Sequence, residues 1–329
     1  MPADHPTFRD VRREAAHGRF ARRVVDIPRA GWRDIVWRVH RRLDEHHMSL
    51  LAGGVSFFLI LSVFPAIGSV VSLYGLLADP TVLQNQLDNF AGVLPTEARS
   101  LLADHFSRFV QQDPATLGIA FLTALAVALW FANAGLKALF MALNVVYGER
   151  EKRNFLKFNL DSFGAALALL LVAFLLTVVT IVTPILLGRL GLGSAVEWAV
   201  SILRWPTLFL AATLALVILY RIGPSRTRAR WRWIIWGSAF TACAWLIVSG
   251  GFSIYLARFG NYEVTYGSLG AVAGFMVWTY FSVYVLLVGA EINAEIEHQV
   301  MVDTTVGPGR PMGLRGAVKA DTIGPSRPR

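Results

Sequence analysis

A single cysteine, Cys243, stands in 329 residues, which excludes an internal disulfide framework. It sits in an apolar run, where packing is its expected role. Charge is scarce as well. Asp, Glu, Lys and Arg make up 16% of the chain against 55% hydrophobic residues, and a mean hydropathy of +0.51 is more than a water-soluble core of this length can bury. The usual marks of catalysis are also missing. The seven histidines form no H-x-x-x-H or H-x-H cluster with nearby carboxylates. There is no G-x-S-x-G elbow, P-loop or Rossmann glycine fingerprint. A zinc hydrolase, a nucleotide-driven pump and a nucleophilic enzyme therefore lack a recognisable residue set, and neither enzyme activity nor a cofactor or metal is expected. The first 48 residues contain no apolar signal-peptide core, so the first apolar run is expected to act as an uncleaved insertion signal.

What the chain has instead is length in its apolar runs. A helix needs about 20 mostly apolar residues to cross about 30 Å of hydrocarbon. Six stretches qualify: Leu50 to Leu77, Leu117 to Tyr147, Phe163 to Leu187, Trp198 to Tyr220, Trp233 to Leu256 and Leu269 to Ala290. They are too long and continuous for the alternating strands of an outer-membrane barrel. The expectation is an all-α polytopic integral membrane protein: a bundle of six transmembrane helices with an N-terminal amphipathic helix and a helical outer loop.

Orientation follows from the basic residues, because cytoplasmic loops retain Lys and Arg during insertion. With the N-terminus inside, 25 of the 31 fall on the inner side, and Lys137 lies within a span. Both termini of this multi-pass chain are therefore expected in the cytoplasm. The net charge of +9 marks contact with anionic lipid headgroups at the cytoplasmic face and does not identify nucleic acid as a partner.

The remaining organisation reads as follows. Residues 1–29 form a basic N-terminus expected to be disordered. Residues 30–48 form an amphipathic helix in which Trp32, Ile35, Val36, Val39 and Leu43 keep helical spacing, with Arg33, Arg38, Arg41 and Arg42 on other faces. It is expected to lie along the inner membrane surface, with a solvated or protein-packed helix as the alternative. The six-helix domain spans 49–298. Its outer loop, 78–116, carries two Asp-Pro start signals, Asp79-Pro80 and Asp113-Pro114, and two apolar stripes. The Gly- and Pro-rich tail, 299–329, lacks apolar periodicity and is expected to be disordered on the cytoplasmic side.

Polar groups at membrane depth are costly and mark candidate function. Asn133, Lys137 and Asn144 recur at helical spacing in the second span, Asp161 opens the third near Arg153, and Glu291 closes the sixth. These six residues form the expected polar pathway. Glu291, at the unfavourable dipole end of its span, points either to a helix continuing through Glu295 or to a cationic partner such as Lys137 or Arg153, with which it would form a buried inner gate. Pro65 and Pro184 are expected to interrupt their spans, and Gly270 with Gly274 forms a small-xxx-small pair; these four are the candidate hinges. Gly53, Gly54, Gly250 and Gly251 are expected to permit close packing or bending.

Ala52-Gly53-Gly54-Val55-Ser56-Phe57-Phe58 running to Ser62-Val63-Phe64-Pro65, Asn144-Val145-Val146-Tyr147 ahead of Arg153, and Tyr266-Gly267-Ser268-Leu269-Gly270 leading to Gly289-Ala290-Glu291 resemble the YihY/BrkB family of bacterial inner-membrane proteins. The resemblance covers about Trp32 to His298 and implies a six-helix bundle. Some members have carried a ribonuclease label, which the residues here do not support. The functional expectation is a membrane transport protein, an exporter or flippase of an amphiphilic or lipid-like anionic substrate. A noncatalytic scaffold recruiting lipid or protein partners is the alternative, and an ion-coupled small-solute carrier comes third; oligomerisation is left open.

Overall fold

The structure, a computed structural model, describes residue 12 and residues 14–77, 114–190, 194–258 and 268–328. After a short 3-10 turn, Val24–Asp26, come eight helices among the described residues. They are α1 (Arg29–Glu45), α2 (Met48–Leu77), α3 (Pro114–Tyr147), α4 (Phe155–Leu190), α5 (Ser194–Ile222), α6 (Trp231–Arg258), α7 (Ser268–Glu297) and α8 (Val318–Asp321). Each of the six apolar runs lies inside one of the helices α2 to α7. Five segments, Met48–Val70, Ala115–Tyr147, Phe155–Val172, Trp231–Tyr255 and Val272–Glu297, are long and apolar enough to cross a bilayer. α5 adds the shorter apolar stretch Pro206–Ile222. The chain is an all-helical integral membrane protein. The outer loop expected over 78–116 lies outside the described residues as far as 113.

The expected hinges do not break helices. α2 runs through Pro65 and α4 through Pro184, since a proline removes one donor from a ladder whose other bonds persist. Gly270 and Gly274 likewise lie in the uninterrupted α7. The sharp turn is elsewhere. His47, with φ 49°, forms the elbow between α1 and α2, a left-handed conformation that costs a non-glycine residue about 1–2 kcal/mol.

The contacts divide the chain into two compact units, residues 57–135 and the remainder. In the smaller unit α2 and α3 run antiparallel. A Cβ on Gly135 would lie 3.0 Å from Leu59 Cδ2, and one on Gly68 would lie 3.9 Å from Ala124 Cβ, which puts Ala124 and Gly135 of α3 on the packed face.

In the larger unit α6 packs against both α5 and α7, α4 against α5, and α1 and α8 against α7. The closest approach is at Gly237 and Gly289, where a Cβ on Gly289 would lie 1.7 Å from Thr241 Oγ1. Tyr220 closes the same junction, its hydroxyl 2.8 Å from Thr241 Oγ1 and donating to Leu286 O at 2.6 Å. Among the described residues, nothing lies within 4 Å of a Cβ built on Gly53, Gly54, Gly250 or Gly251. Their glycines are therefore not close-packing points in this structure.

Burial runs opposite to that of a soluble protein. Large apolar side chains along the spans, such as Leu170, Leu210 and Ile247, are exposed, as suits surfaces whose solvent is lipid. The deepest burial lies at the end of the larger unit where residues 14–28 and 299–328 meet α7. There Ala21, Val24, Ile27, Ile35, Trp233, Ile296 and Val300 form a small apolar core flanked by Trp32, Val39 and Ile292. Each aliphatic side chain fully buried there contributes about 1.5–3 kcal/mol.

Two expectations change here. α1 does not keep Ile35 and Val36 on one shared lipid-facing stripe: Ile35 is buried with Asp34 and Arg38 against protein, while Val36 stays 64% exposed. The protein-packed alternative describes its inner face. The two segments expected to be disordered, 1–29 and 299–329, are ordered over their described residues 14–28 and 299–328. Ala21, Val24 and Ile27 tie the first segment into the apolar core, with Val300 at the start of the second, while the remainder of the second is held by polar groups. Asp321 accepts amide protons from Gly313, Arg315, Gly316 and Ala317, and these bonds hold its carboxyl below the usual value against the opposing effect of burial. The Arg315 guanidinium donates to the carbonyls of Arg310, Val302, Ala320 and Met301. Gly313 and Gly316 supply the left-handed turns, φ 91° and 71°, that this winding requires.

Candidate functional site

The last two turns of α7 pass from a lipid-facing surface into complete enclosure. Glu291, Asn293, Glu295, Glu297 and Gln299 are all fully buried, and a buried carboxylate survives only if it is paired and hydrogen-bonded. The bases that face the three carboxylates come from α1, the α1–α2 elbow, the α5–α6 loop and α8, with Lys319 shared by Glu295 and Glu291.

Glu295 is the centre. Arg38 of α1 donates from Nε to its Oε2 at 2.5 Å, and Lys319 of α8 donates to its Oε1 at 2.5 Å. The same guanidinium reaches Glu295 O, Gln299 Oε1 and Pro325 O. His298 lies one turn on, Nδ1 3.3 Å from Glu295 Oε2. Burial, helped by Lys319 and Arg38, pushes the His298 imidazole below its ordinary value despite the pull of Glu295, so it is held neutral.

Glu297 takes a bidentate grip from Arg226 in the α5–α6 loop, both bonds at 2.8 Å, and a third bond from Thr304. The Arg226 guanidinium also lies 4.0 Å above the Tyr147 ring. Burial works against this charge, but Glu297 and Tyr147 more than offset it and leave Arg226 above its usual value.

Glu291 is the least satisfied of the three. Its Oε2 lies 2.9 Å from His46 Nδ1 at the α1–α2 elbow, while among the described residues Oε1 has no hydrogen-bond partner and is 3.9 Å from the Lys319 ammonium. His46 and Lys319 therefore take the place of Lys137 and Arg153 as the bases facing Glu291. Lys137 donates instead to Asn159 Oδ1 at 3.0 Å.

The other expected residues gather in a second network. Asn144 donates to Glu151 and accepts from the Ser225 amide; Arg153 bonds Glu151 and lies 3.7 Å from Asp161. Arg153 also donates to the carbonyls of Ile222 and Gly223, capping the end of α5, and stacks over Phe140 and Phe158. Burial resists ionisation of Glu151, yet its bonds to Arg153 and Asn144 bring its carboxyl down to about 2. The single pathway expected from sequence is thus two networks. Asn144, Arg153 and Asp161 share one; Glu291 belongs to the other. Asn133 lies on α3 in the smaller unit, one turn before Lys137.

The chain ends complete the main site. Arg19 donates to Gln299 O and Gly324 O, and burial with the nearby Arg38 lowers it from its usual value. Asp34 accepts from the Arg327 amide at 2.9 Å and contacts His17 Nδ1 at 2.5 Å. Sequence reading passed over Arg19, Arg38, His46, Glu295, Glu297 and Lys319. The acidic spacing Glu291, Glu295, Glu297 at the end of an apolar helix was the one available signal.

Comparisons with known proteins agree with the fold. The sequence profile of the family described as "Virulence factor BrkB" matches residues 39–311. The ribonuclease-like protein YfkH of Bacillus subtilis is 31% identical over 77% of this chain and 91% of its own length. A UPF0761 membrane protein of Tolumonas auensis is 27% identical over 78% of this chain and 83% of its own length. One from Cronobacter sakazakii is 25% identical over 86% and 93%, respectively. No solved structure matches.

Proposed function

The chain belongs to the Virulence factor BrkB family of membrane proteins, and from that premise we propose that it is a noncatalytic transport protein. It exports or flips an amphiphilic, lipid-like anionic substrate across a bacterial inner membrane, with both termini in the cytoplasm. The observation that carries this reading is Glu291. A carboxylate buried at the end of a membrane span, with one oxygen that accepts no hydrogen bond from the described residues, is costly to keep. Its two bases, His46 and Lys319, come from outside the span, on an elbow and on the terminal segment. Such contacts can be made and broken as those parts move, and an imidazole 2.9 Å from a carboxylate can pass a proton to it. The ribonuclease-like name is that of the Bacillus relative, and transport requires no counterpart of it here.

A scaffold function is the second reading, favoured by the ordered, base-rich segment built from both chain ends. Reconstitution separates the two. In liposomes containing fluorescent anionic phospholipid, the protein is expected to move label between leaflets, and Glu291→Gln, which keeps a partner for His46, is expected to slow that movement at least tenfold while the protein stays folded. Absence of flux of anionic lipid, small cations and protons would overturn transport and leave the scaffold.

A further inference from the structure

The outer face of α1 carries a groove of about 450 Å³ lined by Trp32, Arg33, Val36, Trp37, His40 and Arg327. We propose that it is a binding site for one anionic phospholipid of the bilayer, with phosphate and headgroup held between Arg33 and Arg327 and the upper acyl chain lying on Val36 and the two indoles.

Charge is the first argument. Arg33 and Arg327 are both exposed, and among the described residues neither guanidinium pairs with a carboxylate. No acid lines the groove. Of the three acids of α1, Asp34 is turned inward and holds His17 and the Arg327 amide, Glu45 is taken by Arg41 and Arg42, and Asp44 is exposed one turn beyond His40, outside the lining. Arg41, 5.6 Å from the centre of the Trp37 ring, is already paired with Glu45 and adds no free charge. The lining itself carries the two guanidiniums of Arg33 and Arg327 and no acidic residue. Its chemistry suits a phosphodiester, which a guanidinium binds through paired N–H donors.

The floor is the second argument. A free phosphate needs no apolar platform, yet Val36 is 64% exposed between two partly buried tryptophans. Tryptophan with exposed aliphatic surface and arginine is the composition of the bilayer interface.

Position is the third. Only His46 and His47 separate α1 from α2, whose first turn exposes Leu50 by 76%. Trp37 is about 12 Å along α1 from its end, at about 1.5 Å per residue, which keeps it within reach of the headgroup layer.

The groove also depends on the chain ends. All of its lining except His40 falls outside residues 39–311, the part that matches the family. Arg327 is brought to it by its amide bond to Asp34. The site is independent of the transport reading, since it requires binding and no flux.

The test uses the full chain in neutral detergent and follows its Tm during titration with short-chain phosphatidylglycerol, short-chain phosphatidylcholine and inorganic phosphate. Phosphatidylglycerol should give a saturable rise at least tenfold lower in concentration than phosphatidylcholine, and phosphate alone should give none. Arg33→Ala with Arg327→Ala should weaken the phosphatidylglycerol response at least tenfold without changing the unliganded Tm, because the Asp34 bond uses the backbone of Arg327. Arg228→Ala, removing an exposed base on the α5–α6 loop, should leave the response intact. Equal responses to the two lipids, an equal response to phosphate, or an unchanged response in the double variant would each overturn the proposal. If the double variant loses unliganded Tm, Trp37→Ala decides: an undiminished phosphatidylglycerol response in that variant overturns the site.

Discussion

The amide of Arg327 donates to Asp34 Oδ1 at 2.9 Å across 293 positions of sequence. Asp34 is in the first turns of α1 and Arg327 is near the far end of the chain, so this bond closes the larger unit into a noncovalent loop around the end of α7. Its neighbours, Arg19 to Gly324 O and Arg38 to Pro325 O, repeat the closure. Stability in this region rests on buried polar pairs, and its response to mutation should differ sharply from that of surface pairs.

Glu295→Ala leaves Arg38 and Lys319 buried without their shared anion. The expected loss is about 3–5 kcal/mol, visible as a lower denaturation midpoint in detergent. Arg41→Ala, which breaks an exposed pair with Glu45, should change stability by about 0.5 kcal/mol or less.

At the α6–α7 contact, Gly289→Ala would drive a methyl group into Thr241 Oγ1. About 1–3 kcal/mol of destabilisation is expected from the forced separation of the helices. Gly250→Ala on α6 meets open space and should be neutral or stabilising by up to about 1 kcal/mol. Thermal unfolding of the two variants side by side checks both.

Acid should destabilise the two networks in turn. His298 sits below its ordinary 6.5 because burial disfavours its charged form. The unfolded chain therefore binds more protons just under that value, and stability falls as pH drops from about 6.5 towards the folded-state value. Glu151 acts at lower pH. Its carboxyl is held at about 2 against an ordinary 4.5, so its contribution is complete above about 4.5 and is lost on the way down to 2. In a pH series of unfolding midpoints, His298→Asn should flatten the upper limb and Glu151→Gln the lower.

Asp321→Ala removes the acceptor of four backbone amides in the terminal segment. Limited proteolysis should then cut between residues 303 and 328 at least tenfold faster, with the spans unaffected.

The spans were legible because hydrocarbon imposes a length and an apolarity that need no knowledge of partners. Leu117 to Tyr147, for example, is visible from its own residues, and α3 contains it whole. The polar end was not legible for the converse reason. Arg38 and Glu295 are 257 positions apart, and nothing local to either announces the other. Glu291 was recognisable as a costly group, but nearness to the same membrane face pointed to Lys137 and Arg153. The bases that face it belong to an elbow and to a segment whose Gly and Pro content reads as disorder. Asp321 and Arg315 build that segment through backbone bonds, for which apolar periodicity is no guide. Gly237 and Gly289 likewise do not form a pattern in either helix alone, and their role appears only when α6 and α7 meet.

The loop closed by Asp34 and Arg327 also sets an order in time. α1 leaves the ribosome early with Asp34 and Arg38, while Lys319 and Arg327 follow only after every span has been made. At about 5–20 residues per second that interval is on the order of tens of seconds. Until it ends, Arg38 lacks the carboxylate of Glu295 and Asp34 lacks the amide of Arg327. The polar end is thus locked only by residues made after the spans.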